Sequence, residues 1–308
     1  MNRAAMVSLS AAFALAALAA PAGAQAADST GSAMPVYQAV ILGAVEGVTE
    51  YLPVSSTGHL TVVQSLLGLW ATPEEKDASD AYAICIQAGA ILAVLLISLR
   101  RIKGMARGLV GRDRDGLRLL GNLVVAFIPG AALGFLLEAR LKRYLFGIWP
   151  VAAAWLVGGI FILAVLARRK SGEGKPLESL TWKAALVIGV AQAVALWPGV
   201  SRSLVTIAAG LFLGLSVSAA VEFSFLLGLV TLGAATIYEA VKLGPAIIAM
   251  FGWVSPVVGI VAAAVTAFAA VRWMVGYLKT RSLAIFGWYR VGIALLVAAL
   301  VLTGVIAA

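Results

Sequence analysis

Apolar residues run along this chain in long blocks, and the polar residues between them come in short clusters. A helix that crosses a bilayer needs about 20 apolar residues. Blocks of roughly that length fall near 81–99, 119–137, 150–167, 217–238, 253–275 and 290–307, which predicts about six transmembrane helices. Two more apolar segments are interrupted. Between Val36 and about Trp70, Pro53, Gly58 and the run Ser55-Ser56-Thr57 break any single helix. Between about 184 and 213 the break is Trp197-Pro198-Gly199. Irregular backbone at membrane depth is tolerated only where it is buried in protein or lines a cavity. Both segments therefore read as re-entrant helix–loop–helix elements, and the first is followed by a polar loop, Thr72 to Asp80.

The two breaks resemble each other. Pro53-Val54-Ser55-Ser56-Thr57 compares with Pro198-Gly199-Val200-Ser201-Arg202-Ser203, with one inserted residue, and Glu46 and Gln192 stand at similar offsets before the prolines. The topology brings them into the membrane from opposite sides, an inverted repeat of about 35–168 and 181–308. Folds of that kind place their site near the midplane, at the repeat interface.

Composition supports a membrane class. The chain is 62% hydrophobic and 12% charged, where a soluble domain is about 25% charged. The net charge of +9 would suit nucleic acid, but most basic residues flank apolar spans. The stretches 100–118, 168–183 and 272–290 hold 16 Lys and Arg, against 5 in the stretches facing the other way. The positive-inside rule puts the basic stretches in the cytoplasm and both mature termini outside. Residues 1–27, with Arg3, an apolar run and Ala24-Gln25-Ala26, read as a signal peptide ahead of a single domain, 28–308. The one cysteine, Cys85, excludes an internal disulfide or thiolate metal cluster.

Ionisable residues away from loops and helix ends are Glu46, Glu50, His59, Arg202 and Glu222, and four of them lie in the broken segments. Glu46 and Glu50 are one helical turn apart, so their carboxylates share a face. Such a pair suits Mg²⁺ or Ca²⁺, with substrate phosphates completing the shell. Ser55, Ser56 and Thr57 offer hydroxyls, and His59 an acid/base near neutral pH. Arg202 is a lone cation whose guanidinium matches phosphate oxygens, either for a substrate or in an ion pair with Glu46, Glu50 or Glu222. Ser201, Ser203 and Thr206 add donors. An anion site, a divalent cation, a hydroxyl and an imidazole point to phosphoryl transfer or hydrolysis, on an amphiphile whose tail stays in the bilayer. A lipid-phosphate transporter or flippase using the same cavity is the alternative, although transport needs no nucleophile.

At these residues the chain resembles the bacterial undecaprenyl-diphosphate phosphatases, also known for bacitracin resistance. Glu46-Gly47-Val48-Thr49-Glu50 followed by LPVSSTGH resembles the first family motif, and PGVSRSLVT, Pro198 to Thr206, the second. The resemblance runs from about Pro35 to the C-terminus. It implies a multi-pass enzyme of the bacterial inner membrane with six spans and two re-entrant segments in an inverted repeat. Its site would open to the outer face and need Mg²⁺ or Ca²⁺, and it would remove the terminal phosphate of undecaprenyl diphosphate to renew the carrier for peptidoglycan synthesis. The metal glutamates map to Glu46 and Glu50, the histidine to His59, the hydroxyl cluster to Ser55, Ser56 and Thr57, and the arginine to Arg202. Ser56 is the expected nucleophile with His59 as acid/base, and direct attack by water is the rival. A homodimer stays open.

Overall fold

The computed structural model describes residues 34–306, apart from 71, 146, 170 and 171. The expected signal peptide lies outside the described residues. Among these the chain forms eleven α-helices. They are α1 (Val36–Thr49), α2 (Ser56–Leu66), α3 (Pro73–Ile97), α4 (Leu99–Leu109), α5 (Arg114–Leu145), α6 (Ile148–Phe161, extended by a wide turn to Leu166), α7 (Trp182–Gln192), α8 (Arg202–Phe212), α9 (Val217–Phe251), α10 (Val254–Leu278) and α11 (Ala284–Leu302).

Six of these, α3, α5, α6, α9, α10 and α11, are long and apolar enough to cross a membrane. Their outward faces stay apolar: Leu96, Val157 and Val265 are 56%, 67% and 65% exposed, as lipid-facing residues should be. The helices outlast their apolar cores. The polar stretch before residue 81, expected as a loop, forms the first turns of α3, and α9 continues through 239–251. Helical hydrogen bonds are local, so a helix need not end where its sequence turns polar. The basic stretch 100–118 likewise folds as α4, a turn at Gly111 (φ 75°) and the start of α5.

The pairs α1–α2 and α7–α8 occupy the two interrupted segments. Their helices have 14, 11, 11 and 11 residues. At 1.5 Å per residue that is about 16 to 21 Å, short of a hydrocarbon core of about 30 Å. The breaks are alike in detail. Ser55 (φ 73°, ψ 103°) and Ser201 (φ 78°, ψ 113°) are the only described non-glycine residues with positive φ. Each caps the helix that follows, accepting from Gly58 N and Leu204 N respectively.

The first helix of each pair lies against a span of the other half. Gly43 meets the backbone of Gly259, so α1 lies tight on α10, and Gly189 meets Ala126, so α7 lies tight on α5. Gly43 and Gly189 stand three residues before Glu46 and Gln192. This paired packing through small residues accords with an internal repeat. A Cβ on Gly189 would lie 2.7 Å from Ala126 Cα. Gly189→Val is therefore expected to destabilise the protein by about 1–3 kcal/mol, read as a lower unfolding midpoint in detergent.

Glu222 is tied to α4 rather than to Arg202. Arg101 Nε donates to it at 2.7 Å and Arg101 Nη1 donates to Glu178 at 2.7 Å. Arg101 beside it holds the Glu178 carboxyl below its usual range. This lock fastens α4, the 177–179 turn and the start of α9 at one end of the bundle.

Candidate active site where the broken segments meet

A loop at membrane depth has no water to satisfy its carbonyls, so the protein must supply donors. Here four successive carbonyls are met by four buried side chains. Leu52 O accepts from Ser203 Oγ at 2.8 Å, Pro53 O from Arg290 Nη1 at 3.3 Å, Val54 O from Trp155 Nε1 at 2.8 Å, and Ser55 O from His59 Nδ1 at 2.6 Å. Arg290 Nη2 also binds Ala154 O and Gly199 O, at 2.8 and 2.9 Å. One guanidinium thus holds both broken loops and α6 together.

This corrects the sequence reading of Arg290. The expected span began at 290, which left Arg290 in a basic loop. The helix begins at Ala284, and Arg290 is fully buried in it. The available signal was its place in Trp288-Tyr289-Arg290-Val291-Gly292, with no other charge nearby.

The loops fix a cavity of about 500 Å³. Glu50, Ser55, Ser56, Thr57, Ser201 and Arg202 line one part, and Phe127, Phe135, Leu196 and Trp197 line an apolar part. The starts of α2 and α8 are at this wall, so two sets of helix N-terminal N–H groups border it. Arg202 Nη1 donates to Ser224 O at 3.0 Å and Nη2 to Glu50 Oε1 at 3.3 Å, and the guanidinium packs over Tyr51, 5.4 Å from the ring centre. Its Nε is buried and unpartnered. The Ser56 hydroxyl donates to Glu50 Oε2.

The other expected residues stand behind this wall. His59 is buried; its Nδ1 holds Ser55 O, and its Nε2 pairs with the Tyr289 hydroxyl at 2.7 Å. The group that accepts the Ser56 hydrogen bond is Glu50, whereas His59, expected beside Ser56 as acid/base, is engaged with Ser55 O and Tyr289. Ser203 and Thr206, expected as phosphate donors, spend their hydroxyls on protein: Ser203 on Leu52 O, and Thr206 on Arg202 O at 2.9 Å and Ser224 Oγ at 2.7 Å. Both are buried outside the cavity lining. Glu46 lies deeper still, fully buried, with both carboxylate oxygens lacking a hydrogen-bond partner. Gln192, its counterpart, lines the cavity with a buried amide oxygen that has no partner.

Fold and site define a multi-pass helical membrane protein with a polar wall of Arg202, Glu50 and hydroxyls set inside a largely apolar cavity. The family model described as "Bacitracin resistance protein BacA" matches residues 39–296, and the chain belongs to that family. It is 46% identical over 265 residues to an undecaprenyl-diphosphatase of Sorangium cellulosum, covering 85% of each chain. It is 42% identical to undecaprenyl-diphosphatase 1 of Chromobacterium violaceum, over 85% of this chain and 95% of that one. It is 41% identical to undecaprenyl-diphosphatase 2 of Rhodospirillum rubrum, over 87% and 96%.

Proposed function

We propose that this chain hydrolyses undecaprenyl diphosphate to undecaprenyl phosphate and inorganic phosphate. It thereby returns the lipid carrier to cell-wall synthesis and removes the diphosphate form on which bacitracin acts. The observation that carries this reading is the cavity. Its wall sets the Arg202 guanidinium and the hydroxyls of Ser55, Ser56 and Thr57 beside the Glu50 carboxylate, which fits a diphosphate accompanied by a divalent ion, and its apolar walls fit the start of a prenyl chain. The curated relatives bear the matching name.

In this reaction Arg202 neutralises the diphosphate, together with the N-terminal amides of α2 and α8. Ser56 attacks the terminal phosphorus while its proton passes to Glu50. The bond from that phosphorus to the bridging oxygen breaks, and the lipid monophosphate leaves. Water then cleaves the phosphoserine, releasing phosphate and restoring the Ser56 hydroxyl. His59 holds the Ser55 carbonyl and with it the strained turn that aims Ser56. The experiment is phosphate release by the Ser56→Ala variant. A loss of at least about 10³-fold is expected; release near the wild-type rate would leave water as the attacking group.

Glu46 and Glu50 fit a divalent cation, because two buried carboxylate oxygens on Glu46 are otherwise orphaned. Among the described residues no third His, Cys, Asp or Glu completes a protein-only shell, so the rest of the shell would come from the cavity side, at Glu50, where substrate phosphate oxygens suit Mg²⁺ or Ca²⁺. When bound, the ion supplies charge neutralisation on the diphosphate. Glu46→Gln is expected to raise the Mg²⁺ concentration for half-maximal activity about ten-fold; an unchanged concentration would remove Glu46 from the metal site.

The cavity reaches Gly134, Trp197, Tyr238 and Glu239, away from the arginine-rich end at Arg101 and Glu178. We place that opening at the outer leaflet of the bacterial inner membrane, with both mature termini on the same side.

A further inference from the structure

A second cavity, of about 230 Å³, lies between α4, the start of α5 and the turn at 177–180. It shares no lining residue with the cavity described above. Arg100, Arg101, Arg107 and Arg118 line it, against Asp113, Asp115 and Glu178, over a floor of Leu119, Leu177 and Leu180. The arginine charges are unequally spent. Arg101 is committed to Glu178 and Glu222, and Arg107 lies 3.7 Å from Asp113. Arg100 and Arg118 have no ion-pair partner among the described residues. Asp115 is likewise without an ion-pair partner, so the four arginines and three acids of the lining leave a net charge of +1, offered through Arg100 and Arg118 to an anion from outside.

The site is preformed. Gly104, Gly108 and Gly116 let α4 and α5 meet backbone to backbone; a Cβ on Gly108 would lie 2.8 Å from Asp113 O, and one on Gly116 2.9 Å from Met105 N. The Arg101 ion pairs pin the third wall. Beside the arginine rim, Leu109, Val110 and Leu117 stand 68%, 66% and 47% exposed. A basic helix with apolar residues left bare, next to the end of a span, suits the bilayer interface. The cleft lies beside the ends of the apolar spans α3 and α5, a position that favours a phospholipid headgroup as the source of an anion. Guanidinium groups pair with phosphate oxygens in forked geometry, and basic pockets at span ends take anionic headgroups.

We propose that this cleft binds a phosphate-bearing anion, supplied by the surrounding bilayer as the headgroup of an anionic phospholipid. Arg100 and Arg118 hold the phosphate, and the leucine floor takes the glycerol end. This binding is independent of the phosphatase reading, because no residue of the other cavity takes part.

The full chain, purified in neutral detergent, is titrated separately with short-chain phosphatidylglycerol, the matching phosphatidylcholine and inorganic phosphate, and its unfolding midpoint is followed. Phosphatidylglycerol raises the midpoint and phosphatidylcholine does not. Arg100→Gln/Arg118→Gln, with an unchanged midpoint in detergent alone, needs about ten-fold more phosphatidylglycerol. Lys279→Gln/Arg281→Gln, losing the same charge from another basic stretch, responds like the wild type. A full response to inorganic phosphate alone would overturn the lipid as ligand while keeping the phosphate site. Equal responses from all three proteins, or none from the wild type, would overturn the site itself.

Discussion

Arg202→Lys is expected to lower kcat/KM for a prenyl diphosphate by about 10²- to 10³-fold, an effect of the size seen when one donor to a developing charge is removed. The charge is kept, so the loss measures geometry. In the native protein one guanidinium meets Ser224 O, Glu50 Oε1 and the face of Tyr51 together, with Nε unpartnered. These contacts fix the fork and leave donors for phosphate. An ammonium is a point charge on a flexible stem; it cannot hold Ser224 and Glu50 and also present paired N–H groups. Arg202→Ala would lose more and would leave Glu50 without its cation. Phosphate release under single-turnover and steady-state conditions checks this. A lysine variant with the wild-type kcat/KM would mean that Arg202 serves packing alone.

Arg290→Met is the second large effect, and it acts on both stability and activity. The change strips donors from Pro53 O, Ala154 O and Gly199 O at once. Each buried carbonyl left without a partner costs about 1–3 kcal/mol, so a loss of several kcal/mol is expected. The broken loops carry Ser56 and Arg202, and Arg290 is a common tie between them. Activity should therefore fall by more than about 10²-fold even at temperatures where the variant is folded, since a small misplacement of reacting groups is costly. The unfolding midpoint and phosphate release at low temperature check the two parts separately. Native-like activity in a folded Arg290→Met variant would show that the loops hold their shape without it.

The parts of this account that were legible in the sequence are those set by local chemistry. Length and hydropathy mark a span, and Pro53 and Pro198 mark a break, wherever the rest of the chain goes. Glu50, Ser56, Thr57 and Arg202 stand out because polar groups in an apolar segment need a reason. What was not legible depends on long-range contacts. Arg290 lies 237 positions from the Pro53 carbonyl it binds, and nothing near either residue announces the pair. Trp155 and Tyr289 read as ordinary aromatic residues until their polar atoms meet Val54 O and His59. The misplaced hydroxyls make the same point. Ser203 and Thr206 sit in the motif beside Arg202, but helical spacing turns them inward, toward Leu52 O and Ser224. Glu222 looked like a membrane-depth charge because its partner, Arg101, belongs to a helix that the polar sequence had disguised as a loop.

The most direct test joins one residue from each broken segment. Phosphate release from a long-chain prenyl diphosphate is measured for the purified protein with and without Mg²⁺, beside a His59→Ala/Arg202→Ala double variant whose folding is verified by its unfolding midpoint. Metal-dependent release by the wild type and its loss in the folded double variant are the expected results. Release that persists in that variant would contradict a site at the meeting of the two segments. A folded wild type that binds the lipid diphosphate without releasing phosphate would contradict hydrolysis and favour a carrier that moves the lipid.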